Sequence, residues 1–189
     1  FGDHEKDKST IFWTPMIGGN VYDGFMAGLT VHNIGLAPKK FTYLVSPMLS
    51  TSRLRPVGMA EFSYQILPTK AFELIRIGTS IKSFGTDKIY NNSYFAVSPY
   101  LHFNLGSRTV RHPLHQEILV QGLLRSNNNE TSIGNQEQGF FAQYLMNYKK
   151  PDYLLSWTSR YEYFNAKNEL QSVSRIWTNL NHTFNYRMG

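Results

Sequence analysis

The sequence predicts an all-β fold, an antiparallel transmembrane β-barrel with about ten strands visible in a set that need not be complete. Three observations predict it. The stretch 93–105 alternates with period two: Phe95, Val97, Pro99, Leu101, Phe103 and Leu105 fall on one face of a strand, and Tyr94, Ser98, Tyr100, His102 and Asn104 on the other. Soluble strands run to about 5–6 residues, whereas a tilted strand crossing a bilayer needs about 9–11. Segments of this longer kind recur along the chain. Aromatic residues make up 15% of the sequence, with 12 Tyr and 13 Phe, a surplus that girdles at two membrane interfaces would use.

Residues 1–9 (FGDHEKDKS) are charged and lack any period, and read as a linker or tail. Residues 10–189 read as the barrel domain. Alternation and turn residues place strands at about 10–17, 24–33, 41–50, 56–66, 71–84, 93–105, 115–125, 139–149, 152–165 and 169–187. The first two are joined through Asn20, Asp23 and Gly24, residue types that favour a tight turn over a ligand site. In the second, Phe25, Ala27, Leu29 and Val31 oppose Met26, Gly28, Thr30 and His32. In the fourth, Gly58, Ala60, Phe62, Tyr64 and Ile66 oppose Met59, Glu61, Ser63 and Gln65. Ile75, Ile77, Thr79 and Ile81 oppose Arg76, Gly78, Ser80 and Lys82 in the fifth, and Tyr153, Leu155, Trp157, Tyr161 and Tyr163 oppose Ser156, Thr158, Arg160 and Glu162 in the ninth. Pro47 and Pro99 fall on outward positions inside strands, where a lost N–H interrupts the ladder, and bulges are the device expected there.

The connectors form two sets on this reading. Those at 35–40, 67–70, 150–151 and the longer 106–114 share one end; 51–55, 85–92 and 126–138 share the other. Short turns opposite longer polar loops is the layout of outer-membrane barrels. Phe41, Tyr43, Tyr64, Phe72, Phe103, Tyr148, Tyr153, Phe184 and Tyr186 gather near the short-turn end, as a girdle would. Loop length makes that end periplasmic.

Composition excludes several classes. No run approaches the roughly 18–20 apolar residues of a membrane helix. Cysteine is absent, which removes disulfides and thiolate metal sites. Net charge is +6, yet the basic residues (Lys39, Lys40, Arg53, Arg55, Lys70, Arg108, Arg111, Lys149, Lys150) lie in connectors rather than along one helix. That distribution points to a rim at lipid headgroups and away from nucleic acid. Phe1 is not an initiator Met, which reads as a mature or excised piece.

The segment from Trp13 through Pro15, Asn20, Tyr22, Asp23, Gly24, Gly28, Leu29, His32 and Asn33, followed by Phe41 to Pro47 and Met48, resembles the C-terminal, outer-membrane barrel-like region of large aminopeptidase-N-like zinc metallopeptidases of Gram-negative bacteria. Asn185-Tyr186-Arg187-Met188-Gly189 is similar to a late strand of that region. The resemblance implies a barrel that anchors or displays a periplasmic module, the metallopeptidase itself, or joins a larger membrane complex. Its partners would be outer-membrane lipid and that module. The catalytic domain is absent: His4-Glu5 has no second His at HExxH spacing, and no Glu completes a zinc pattern around His112 and His115. The expectation is therefore a segment that is not an enzyme and that takes no cofactor and no metal.

Ser98, His102 and Asn104 are the residue types of a serine hydrolase, but i and i+4 on a strand lie about 13 Å apart, too far for proton transfer. Barrel lining is the stronger reading. The lumen-lining residues expected are Glu61, Arg76, Tyr100, His102, Asn104, Arg160, Glu162 and Arg175, with Lys82, Glu117 and Arg125 at interior or rim positions. Arg160 and Glu162, two apart on one face, are placed to neutralise each other. Asn91-Asn92-Ser93 and Asn181-His182-Thr183 match a glycosylation pattern that has no use in a bacterial outer membrane. The rivals are a small pore or selective channel, a soluble lipocalin-like ligand-binding barrel, whose outward faces should be polar, and a lipid-modifying barrel enzyme using Ser98.

Overall fold

Ten strands follow one another in an uninterrupted antiparallel meander. A computed structural model describes residues 10–35, 39–52, 54–66, 73–86, 92–106, 113–128, 135–168 and 173–188. The strands are β1 (Phe12–Asn20), β2 (Gly24–His32), β3 (Phe41–Ser50), β4 (Pro56–Ile66), β5 (Leu74–Gly85), β6 (Ser93–Gly106), β7 (Leu114–Asn128), β8 (Asn135–Lys150), β9 (Tyr153–Asn168) and β10 (Val173–Met188). Each pairs with its sequence neighbours, and β1 and β10 form the two edges of an open sheet. No helix occurs among the described residues. The ten expected strands are all present. The tail at 1–9, together with Arg53, Lys70, Phe72, Arg108, Arg111 and His112, lies outside the described residues.

Two expectations are corrected. The loop at 126–138 shrinks to 129–134, because β7 and β8 continue pairing up to Ser126 opposite Gln136. Connectors then span two to eight residues at one end and three to seven at the other. Loop length does not distinguish the two ends. The prolines also sit without bulges. Register is the same on both sides of Pro47 (Gly28↔Met48, then Val31↔Val45) and of Pro99 (Val97↔Leu124, then Tyr100↔Gln121). Glycines supply the room instead. Pro47 stands opposite Gly58, and a Cβ on Gly122 would lie 3.2 Å from Pro99 Cγ.

The sheet is curled around one face. The β1–β2 turn is tied by Asn20, whose Oδ1 accepts from the Tyr22 and Asp23 amides at 2.8 and 2.6 Å and whose Nδ2 donates to Asp23 Oδ2 at 2.9 Å. Gly24 follows at φ 65°, a conformation that an L side chain resists. Asp23 Oδ2 also accepts from the Gly85 amide at the end of β5, 2.8 Å away. In a flat sheet β2 and β5 would be about 14 Å apart, so the wall must bend to bring them together. The inner side of that bend is lined by Met26, Met48 and Val57, with Met16 and Phe84 packed against them. Buried Ser46, Ser50, Ser63 and Ser98 share the inner face with Ala96. These side chains are small enough for a tight curl. Thr30 and Ser46 hydroxyls pair at 2.8 Å, as do those of Thr42 and Ser63 at 2.6 Å, which satisfies polar groups removed from water.

Candidate functional site

Because paired residues in an antiparallel ladder point to the same side, the register assigns every residue to one of two faces. The outer face carries Trp13, Pro15 and Ile17 on β1, Phe25, Leu29 and Val31 on β2, and Phe41, Val45 and Leu49 on β3. It continues through Phe62 and Tyr64, Ile77 and Ile81, then Phe95, Leu101 and Phe103, and Val120 and Leu124. Phe140 and Tyr148, Trp157 and Tyr161, and Leu180, Phe184 and Tyr186 complete it on β8 to β10. These side chains face outward without a covering layer: Trp13 is 70% exposed, Ile17 73%, Phe95 50% and Phe184 65%. A contiguous apolar surface of this extent marks contact with something other than water.

Aromatic and large apolar residues on this face form two belts. Phe41, Tyr43, Tyr64, Phe103, Tyr148, Tyr153 and Tyr186 sit near one end of the strands, with Tyr148–Tyr153 and Tyr153–Tyr186 ring centroids 5.8 and 6.5 Å apart. Lys150 Nζ lies over the first two of these rings at 5.6 and 5.7 Å. Toward the other end lie Phe25, Leu49, Phe95, Leu124, Phe140 and Tyr163, with Phe140 stacked on Tyr163 at 5.6 Å. Eight residues separate the belts on β3 (Phe41 to Leu49), β6 (Phe95 to Phe103) and β8 (Phe140 to Tyr148). That is about 26 Å along a strand. Beyond the second belt, Ser126, Gln136, Gln138 and Asn165 make the outer face polar.

All the residues expected to line a lumen fall on the inner face. Glu61, Arg76, Tyr100 and His102 line one cavity of about 360 Å³, with Glu117, Gln121 and Gln143 from β7 and β8. Tyr100 lies across Gly78, where a Cβ would come 2.5 Å from its ring, and its hydroxyl donates to Glu61 Oε1 at 3.2 Å. With its carboxamide oxygen turned toward Arg76, Gln65 accepts from Nη2 and Nε at 3.0 and 3.3 Å. Glu117 is held between two imidazoles, His115 Nε2 at 2.6 Å and His102 Nε2 at 3.5 Å. Asn104 pairs with Glu117 in the ladder. Arg160 and Glu162 do neutralise each other, at 2.6 Å, and the guanidinium also lies 4.5 Å from the Phe141 ring. Arg125 binds Glu137 at 3.3 Å and stacks on Tyr94. The backbone of Arg175 pairs with Ala166 on the same face; its side chain lies outside the described residues. Gln65, Gln121, Gln143, His115 and Glu137 were not among the expected lining residues, although the same period of two points each of them inward. Lys82 lies on this face also, opposite Ala96.

Ser98 is buried opposite Ser80 and His102 opposite Arg76, four residues further along the same strand. Among the described residues no group of three or more His, Asp or Glu side chains is placed to hold a metal ion. Comparison with family models, with curated proteins and with solved structures gives no match.

Proposed function

We propose that this chain is the wall of a transmembrane β-barrel of the bacterial outer membrane, and that it anchors a periplasmic module there. The observation that supports the membrane reading most is the polarity of the two faces. A soluble barrel keeps its outer face polar; here Trp, Phe, Ile and Leu lie outside, while the inside sets a small cluster around Met26, Met48 and Val57 among buried serines, ion pairs and amides. Strands of nine to sixteen residues fit a tilted crossing of the hydrocarbon layer. In lipid every backbone N–H and C=O needs a partner, a demand that a closed antiparallel sheet meets.

The anchoring role, with a metallopeptidase as the attached module, rests on the resemblance carried by residues 13–189. The state of the inner charges favours a wall over a conduit. Arg160 with Glu162, Arg125 with Glu137 and the two imidazoles around Glu117 are mutually engaged, whereas a conducting lumen presents charge to passing ions. The test is fractionation of the full-length protein. It should stay with the envelope through alkaline extraction and leave it only in detergent; full solubility in plain buffer would overturn the membrane reading. In planar bilayers the purified protein should show no steady conductance, and stepwise openings would replace the anchor with a pore.

A further inference from the structure

The edges of the sheet, β1 and β10, are left without strand partners among the described residues, and the stagger of the ladders shows how they fit together. Followed perpendicular to the strands, Trp13 leads through Val31, Val45, Ala60, Ile81 and Val97 to Leu124, Gln138, Asn165 and finally Ile176. Trp13 stands at the foot of β1, but Ile176 stands near the top of β10; the foot of β10 is Met188, twelve residues further on. Bringing the two feet level therefore closes the sheet with a displacement of twelve residues around ten strands. At ~3.3 Å per residue and ~4.7 Å per strand this is a tilt of about 40°, inside the range that closed barrels adopt.

We propose that β1 pairs antiparallel with β10 of the same chain in the register Trp13↔Met188, Pro15↔Tyr186, Ile17↔Phe184, closing a ten-stranded barrel. Three features converge on this register. Ten strands is an even number, so the two edges run in opposite directions. The register places three outer-face residues of β1 against three outer-face residues of β10, and a slip of one residue would put Trp13 against the inner, polar side. It also sets Trp13 beside Tyr186 and Tyr153, so that the aromatic belt runs on across the seam. At that tilt Phe25, Leu49, Phe95, Leu124, Phe140, Tyr163 and Leu180 come level within about 4 Å of one another. The proposal rests on the membrane reading, in which an uncovered edge is not tolerated.

Because the chain has no cysteine, the seam can be mapped with introduced pairs in the full-length protein in membranes. Ile17→Cys with Phe184→Cys, and Pro15→Cys with Tyr186→Cys, should form an intramolecular disulfide under mild oxidation. Ile17→Cys with Leu180→Cys or with Met188→Cys should not. A maximum at a displaced pair overturns the register. Bonds only between molecules mean that a second copy covers the edges, and no bond in membrane-embedded protein means that other strands do; either overturns the closure. Recovery of the same variants in the soluble fraction would instead refute the membrane reading. Hydrogen exchange on the unmodified protein gives a substitution-free check: amides of Phe12–Asn20 should be as protected as those of β5, and fast exchange along β1 overturns the seam.

Discussion

At the scale of single residues, glycines facing large rings set the inner surface. Tyr100 covers Gly78 and reaches Glu61, and Phe164 covers Gly139, where a Cβ would meet its ring at 2.5 Å. A ring laid over a glycine restores the contact area that the missing side chain gives up. Gly78→Ala should therefore destabilise by about 1–3 kcal/mol, the usual cost of overpacking. Tyr100→Ala in the same molecule should recover part of that loss, read from urea midpoints in detergent; strict additivity would show that the ring does not occupy this space. The part not recovered belongs to the Phe62 carbonyl, which such a Cβ also approaches, at 2.7 Å. Asp23 is the residue whose role sequence conceals most. Its neighbours Asn20 and Gly24 announce a turn, but its hydrogen bond to Gly85 joins groups 62 positions apart and depends on the curl of the whole wall.

At the scale of elements, the alternation of each strand decides which side carries the apolar residues, the side proposed to meet lipid. Leu101 and Gln121 make the contrast: Leu101 pairs with Val120 outside, and Gln121 pairs with Tyr100 inside. An arginine at the middle of a lipid-facing band costs about 2–4 kcal/mol. Leu101→Arg should lose that much on unfolding from lipid vesicles, and Gln121→Arg less than half of it. Were the outer face in water, Leu101→Arg would be neutral, because exchanging an exposed leucine for an arginine removes no buried contact. Period-two alternation made strand existence and facing legible along the chain, down to Arg160 and Glu162 as a mutual pair. Strand ends were less legible. Asn127 and Gln136 look like loop residues in sequence, and they remain in the ladder because β7 and β8 extend past the apolar band with both faces polar. The expected asymmetry of loops vanished with those extensions.

At the scale of the whole molecule, one face is apolar and uncovered and the other carries a polar lining in which Arg160, Glu162, Arg125, Glu137 and Glu117 are engaged with one another or with His115 and His102; the proposed closure is a matter of register. The inner cluster was legible in kind but not in grouping. Glu61, Arg76, Tyr100 and His102 come from three strands, and only the pairing of β4, β5 and β6 brings them to one cavity with Glu117. Sequence spacing carries no trace of that meeting, because strand register depends on partners rather than on local pattern. The membrane reading requires the outer face to lie against hydrocarbon. Spin labels placed one at a time from Phe95 to Asn104 in vesicles, using the cysteine-free background, test it by comparing collision with oxygen and with a water-soluble nickel complex. Phe95, Val97, Leu101 and Phe103 should favour oxygen, in a period of two against Ala96, Ser98, Tyr100 and His102. Preferential collision of the odd positions with the nickel complex would place that face in water and contradict the account.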